Sequence, residues 1–107
     1  MGELVCQTEM KIKNAEGLHM RPAMQFVDVA SGFKSRITVI KNSLEVDGKS
    51  IMQVSMLAAT YGTKLLVKAV GPDAQKAIDA LRELVEVKLF GEPPPAAQES
   101  VNAEHHN

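Results

Sequence analysis

The chain has 107 residues, 45% of them hydrophobic and 23% charged, with a formal net charge of −1. That length suffices for one compact domain with its own core, without disulfides or a metal, and a charge so near zero excludes a chain that gathers nucleic acid or anionic lipid by bulk attraction. One cysteine, Cys6, excludes an intramolecular disulfide, no apolar run nears the roughly 20 residues that span a bilayer, and Met1–Leu4 has no signal-peptide character, so a protein of the reducing cytoplasm is expected.

From Cys6 to Lys13 apolar and polar residues alternate, with Cys6, Thr8, Met10 and Ile12 on one face. Period two with one polar face predicts a half-buried strand of an antiparallel sheet, in which Cys6 is a small core residue rather than a nucleophile. Asn14–Gly17 breaks the pattern as a loop. Ala23, Phe26, Val27 and Ala30 then recur at helical spacing, and Gly32 is placed to end that helix. Arg36–Lys41 alternates again, with Ile37 and Val39 inward, and Asn42-Ser43 turns the chain into a short hairpin partner, Leu44–Val46. Asp47-Gly48 closes that strand. Ser50–Thr60 is predicted helical, with Val54, Leu57 and Ala58 on one side. Leu65, Val67 and Ala69 alternate with Lys64, Leu66 and Lys68 as a fourth strand. The last helix has Pro72 in its first turn, Asp73 at its positive end, and an apolar stripe of Ala74, Ala77, Ile78, Leu81, Leu84 and Val85. Gly91 and Pro93-Pro94-Pro95 stop it. The domain therefore runs over residues 1–91, and residues 92–107 are expected to be a disordered polar tail.

The order β-α-β-β-α-β-α with one-sided strands predicts an α+β fold. It is a two-layer open-faced sandwich of four mainly antiparallel strands covered on one face by three helices.

The segment richest in chemistry is Gly17-Leu18-His19-Met20-Arg21-Pro22-Ala23. Proline tolerates only the first turn of a helix, so Pro22 sets the helix start near Met20 and leaves His19 as the N-cap. The free backbone N–H groups of Met20 and Arg21 then form a phosphate-binding helix end. Arg21 adds a permanent charge with a donor fork suited to phosphate oxygens. A neutral imidazole offers a nucleophilic ring nitrogen at pH 7. Each surface interaction with the new dianion is worth about 0.3–1 kcal/mol, a hold weak enough for the phosphate to leave again. A histidine before a helix is, taken alone, more often an exposed capping residue.

That heptapeptide resembles the active-site signature of the histidine-containing phosphocarrier family, HPr, of the bacterial phosphotransferase system. Lys49-Ser50-Ile51-Met52 is similar to the family's regulatory serine segment, and the order of elements fits over roughly Cys6–Gly91. The resemblance implies that His19 is phosphorylated at Nδ1 and that Arg21 neutralises the phosphate. It implies a carrier rather than a stand-alone catalyst, with no cofactor. Phospho-Enzyme I, charged from phosphoenolpyruvate, would be the donor, and sugar-specific or regulatory proteins the acceptors. The alternative within the same family is a signalling module, as in the nitrogen-related branch, which binds proteins without net sugar transport. Paralogues with glutamine at the histidine position are regulators only; here the residue is His19.

Ser50 and Gln53 fit a capping box, with Gln53 reaching back to the amide of Ser50. The resemblance adds a second reading, Ser50 as the target of a serine kinase/phosphorylase, whose phosphate would oppose docking of acidic partners. Gln53 stands where many kinase-regulated members have glycine. Met20, Met24, Ile51, Met52 and Met56 are left over after the two helices have buried their apolar faces. Flexible thioethers suit a surface that repacks against several proteins, and in the family this is the docking face. His105 and His106 lie in the tail and are not read as a metal site; no metal is expected. Aromatic residues lie off the predicted strands, which argues against a sheet-surface RNA binder. A monomer is expected.

Overall fold

In the computed structural model, residues 3–96 are described. Seven elements follow one another: β1 (Val5–Lys11), α1 (Met20–Ser31), β2 (Arg36–Lys41), β3 (Leu44–Asp47), α2 (Ile51–Ser55), β4 (Lys64–Val70) and α3 (Ala74–Arg82). A π turn over Glu83–Val87 prolongs α3, and a short turn over Leu89–Gly91, with positive φ at all three residues, breaks away from it. The strands form one sheet in the order β1-β4-β2-β3, and every neighbouring pair is antiparallel. The fold is the expected open-faced α+β sandwich.

Alternation decides which face is covered. Met10 and Ile12, Ile37 and Val39, Val46, and Leu65, Val67 and Ala69 all point to one side and are buried there. They meet Phe26 and Ala30 of α1, Val54 of α2, and Ala77, Ile78 and Leu81 of α3. Fully burying side chains of this size contributes about 1.5–3 kcal/mol each. Register carries the pattern across the sheet: Thr8 pairs with Val67, Val67 with Val39, and Val39 with Val46. A one-residue slip anywhere would turn a core face to water.

Four expectations need correction. The second helix ends at Ser55, not Thr60. Beyond it Ala58 is exposed in a left-handed conformation (φ 48°), while its neighbours Leu57 and Ala59 turn into the core. The ammonium of Lys41 donates to the freed carbonyl of Leu57 at 2.9 Å. Leu84 and Val27 are partly buried at the edge of the core. The last helix begins at Ala74, with Asp73 as its N-cap and Pro72 outside it. Asp73 does not cap the helix with its side chain; its carboxylate accepts from the hydroxyl of Ser35 at 2.6 Å and from the amides of Ser35 and Lys34 at 2.9 Å each. Finally, the domain does not stop at Gly91. Glu92 is 8% exposed, and the carbonyl of Pro93 accepts from the amide of Ala15 at 3.1 Å. The rest of the expected tail, residues 97–107 with His105 and His106, lies outside the described residues.

Candidate functional site

The loop before α1 is held by backbone contact. Gly17 lies at φ +73°, and a Cβ there would meet the carbonyl oxygen of Ala59 at 2.6 Å. Only glycine allows this approach. It lets the amide of Leu18 donate to that same oxygen at 2.8 Å, with Leu18 itself buried. The early end of α2 thus serves the site, because it turns the carbonyl of Ala59 towards the loop.

His19 is the N-cap of α1, in extended conformation (φ −80°, ψ −169°), and its side chain makes no capping bond. The first helical bond runs from the amide of Ala23 to the carbonyl of His19, at 2.9 Å. Pro22 has no N–H, so the amides of Met20 and Arg21 are the free donors of this helix end. Neither has a hydrogen-bond partner among the described residues.

The ring of His19 is 42% exposed and turns its Nε2 to the carboxylate of Glu92, 3.1 Å from Oε1 and 3.0 Å from Oε2. Its Nδ1 has no partner among the described residues. The guanidinium of Arg21, 63% exposed, donates to Oε2 of the same carboxylate at 2.8 Å. The side-chain Nδ2 of Asn14 donates to Oε1 at 2.9 Å and also to the carbonyl of Gly17 at 2.8 Å. Burial pushes the carboxyl of Glu92 up, but hydrogen bonds from Asn14 and His19 and electrostatic attraction to the His19 ring and the Arg21 guanidinium outweigh it. The net effect holds Glu92 below the ordinary carboxylate range, as an anion at neutral pH.

Of the residues singled out by sequence, His19, Met20 and Arg21 meet at one point. Glu92 and Asn14 were not among them. Sequence pattern places Asn14 in a loop and Glu92 in the tail, and neither has a local signal of a site. The one signal near Glu92 is Gly91, which permits a left-handed turn (φ +77°) and so a reversal of the chain.

The methionines divide. Met20, Met24, Met52 and Met56 are all exposed, from 51% for Met24 to 76% for Met52. Met20, Met24 and half-buried Ile51 share a groove of about 420 Å³ with Val27 and Asp28. Met56 borders a separate depression with Lys41 and Leu44.

Ser50 caps α2, its Oγ accepting from the amide of Gln53 at 3.2 Å. The return half of the box is different from expectation. Gln53 Oε1 accepts from the amide of Asp47 at 2.9 Å, while the amide of Ser50 donates to the carbonyl of Asp47. The tight turn after β3 puts Asp47 within reach of Gln53 and occupies the Ser50 amide. Among the described residues no group of three acidic, histidine or cysteine side chains could hold a metal ion, and no helix is long and apolar enough to cross a membrane.

Known proteins resemble this chain in sequence and fold. Residues 6–87 match the family model described as "PTS HPr component phosphorylation site". The phosphocarrier protein HPr of Cupriavidus necator is 41% identical over 86 residues, which cover 80% of this chain and 96% of the relative. The crystal structure of HPr-C-His from Thermoanaerobacter tengcongensis superposes with a TM-score of 0.78 at 42% identity, covering 81% of this chain and 97% of that one. An HPr dimer from the same organism matches at 44% identity with a TM-score of 0.63, over 75% and 92% of the two chains. With His19 at the helix end, Arg21 beside it and the family's sheet behind them, the chain belongs to the HPr family of phosphocarrier proteins of the phosphotransferase system.

Proposed function

We propose that His19 accepts a phosphoryl group from phospho-Enzyme I, charged from phosphoenolpyruvate, and passes it to acceptor proteins for sugar uptake or regulation. One observation carries this reading: an accessible imidazole whose Nδ1 is free, at a helix end with two unpaired amides and an arginine. In-line attack by Nδ1 forms the new P–N bond while the bond from phosphorus to the donor's histidine breaks. The amides of Met20 and Arg21, and the guanidinium of Arg21, receive the phosphate oxygens. The protein works in the cytoplasm as a monomer, a state that sedimentation velocity tests against the dimer of its relative.

Docking uses the exposed apolar surface beside His19. Met20, Met24 and Ile51 line its groove, and Met52 extends it along α2. Met56 contributes at the far margin. Ser50 caps the helix that carries half of this surface, so a serine kinase acting there would place a phosphate among the docking residues and repel acidic partners.

The test is direct. The purified protein, phosphoenolpyruvate, Mg²⁺ and a trace of Enzyme I should give one phosphate by intact mass, lost in mild acid and absent from His19→Ala. No gain on folded wild-type protein would sink the carrier reading in favour of an interaction module.

A further inference from the structure

We infer that Glu92 is the positioning residue of His19: its carboxylate holds a proton on Nε2 throughout the transfer cycle and so keeps Nδ1 the nucleophile and, later, the leaving group. The inference rests on the carrier reading above and goes beyond it, because it assigns work to a residue in the segment after α3.

The geometry is specific. Both carboxylate oxygens lie at hydrogen-bond distance from Nε2, and a carboxylate that stays ionised can only accept. Nε2 is therefore the donor, and in the neutral ring the lone pair resides on Nδ1. The carboxylate is also expensive to place. Its side chain is 4% exposed, and removal of a carboxylate from water costs free energy that only its partners offset. The chain reaches this place through three successive left-handed residues, Leu89 (φ 49°), Phe90 (φ 55°) and Gly91 (φ 77°), two of them not glycine. Strain of this kind persists where the surroundings impose it and clusters at functional sites. Phe90 is buried as the anchor, its carbonyl accepts from Gln25 at 3.2 Å, and the carbonyl of Pro93 accepts from Ala15. Fastened on both sides, the strap has little freedom to move Glu92.

The chemistry follows from where the proton sits. Attack by the Nδ1 lone pair yields an Nδ1-phosphoimidazolium that still carries its proton on Nε2, paired with Glu92. On donation, the P–Nδ1 electron pair returns to Nδ1 and regenerates the neutral ring with the same proton in place. No proton has to leave or arrive in either direction. Without the anion, Nε2 would give its proton to water at a lower pH, and the departing ring would be an imidazolate, a poor leaving group. The charged groups facing His19 are Arg21 from α1 and Glu92 from the strap; Asn14 from the loop is neutral, and Glu16 in that loop is exposed. Arg21 opposes the protonated ring, which leaves Glu92 as the group that favours it. Arg21 and Glu92 are paired before phosphorylation, so the incoming phosphate also finds its arginine already held beside His19.

Glu92→Gln keeps the shape and removes the charge. The pH profile for loss of phosphate from phospho-His19, followed by ³¹P NMR, should move down by about one unit in the variant. Gln25→Ala, which loosens the strap without touching the carboxylate, should leave the profile in place. An unchanged profile in Glu92→Gln would show that Glu92 only latches the chain, and would overturn the inference. A second readout needs no phosphate: ¹⁵N shifts of His19 in the unphosphorylated wild type should show the neutral ring protonated at Nε2. Protonation at Nδ1 overturns the inference even if Glu92→Gln fails to fold. Failure of wild-type His19 to accept phosphate would instead count against the carrier reading and leave the tautomer result standing.

Discussion

At the scale of single residues, the site depends on two close approaches. Glu92 meets His19 and Arg21 through its side chain, and Gly17 meets Ala59 through its backbone. At Gly17 the left-handed conformation alone would cost a side chain about 1–2 kcal/mol. The 2.6 Å contact to a carbonyl oxygen forces a further shift of the loop. Gly17→Ala is therefore expected to lower stability by at least about 2 kcal/mol. Urea unfolding should show a lower midpoint at unchanged slope. Because Leu18 hydrogen-bonds to the same carbonyl, phosphorylation of His19 should slow in the fraction that remains folded.

Among the elements, the clearest division of labour concerns α3. Its N-cap residue, Asp73, spends its carboxylate on the turn before β2 and ties Lys34 and Ser35 to the helix start. The hydroxyl of Ser35, then the amide of Lys34, hold its pKa at about 2, against an ordinary 3.8. A carboxyl with a depressed folded-state pKa contributes stability above its unfolded value and loses it as pH falls towards the folded one. Stability should thus be insensitive to this group above pH 4, and should fall as pH drops from about 4 to about 2. In Asp73→Asn the fall over that window should be shallower, and the variant less stable at pH 7; chemical denaturation at a series of pH values measures both. The methionine surface is divided at the same scale, since α1 and α2 bring Met20, Met24 and Ile51 to one groove and leave Met56 on another face.

For the molecule as a whole, the chain closes on itself. The segment after the last helix returns to the loop between the first strand and first helix, so the two ends of the domain build one site. A chain that ends at Ala96 keeps every contact of Glu92 and Pro93 described above, whereas one that ends at Gly91 loses them. The shorter chain should be less stable by about 1–3 kcal/mol, through loss of the buried charge-assisted hydrogen bonds. It should also lose phosphate with the shifted pH profile of Glu92→Gln. Thermal unfolding of the two truncations beside the full chain tests the first expectation; if both melt alike, the strap is not part of the folded domain.

What was legible in the sequence is what nearest neighbours decide. Period-two alternation marked Arg36–Lys41 as a strand to the residue, because a sheet with one wet face demands it. Pro22 placed the start of α1 because a proline ring excludes other positions, and with it the relation of His19 to Met20 and Arg21. Three things were not legible. The second helix ends where Leu57 and Ala59 must both enter the core, which no propensity in Met56–Thr60 announces. Asp73 takes Ser35 in place of its own helix because β2 arrives beside it. Glu92 stands 73 residues from His19 and reaches it through left-handed backbone at Leu89 and Phe90. Such a path is unfavourable locally and is held only by the burial of Phe90 and the bonds of the strap. The place of His19 at its helix end was thus determined by local sequence, whereas the carboxylate that meets its ring was decided by tertiary structure.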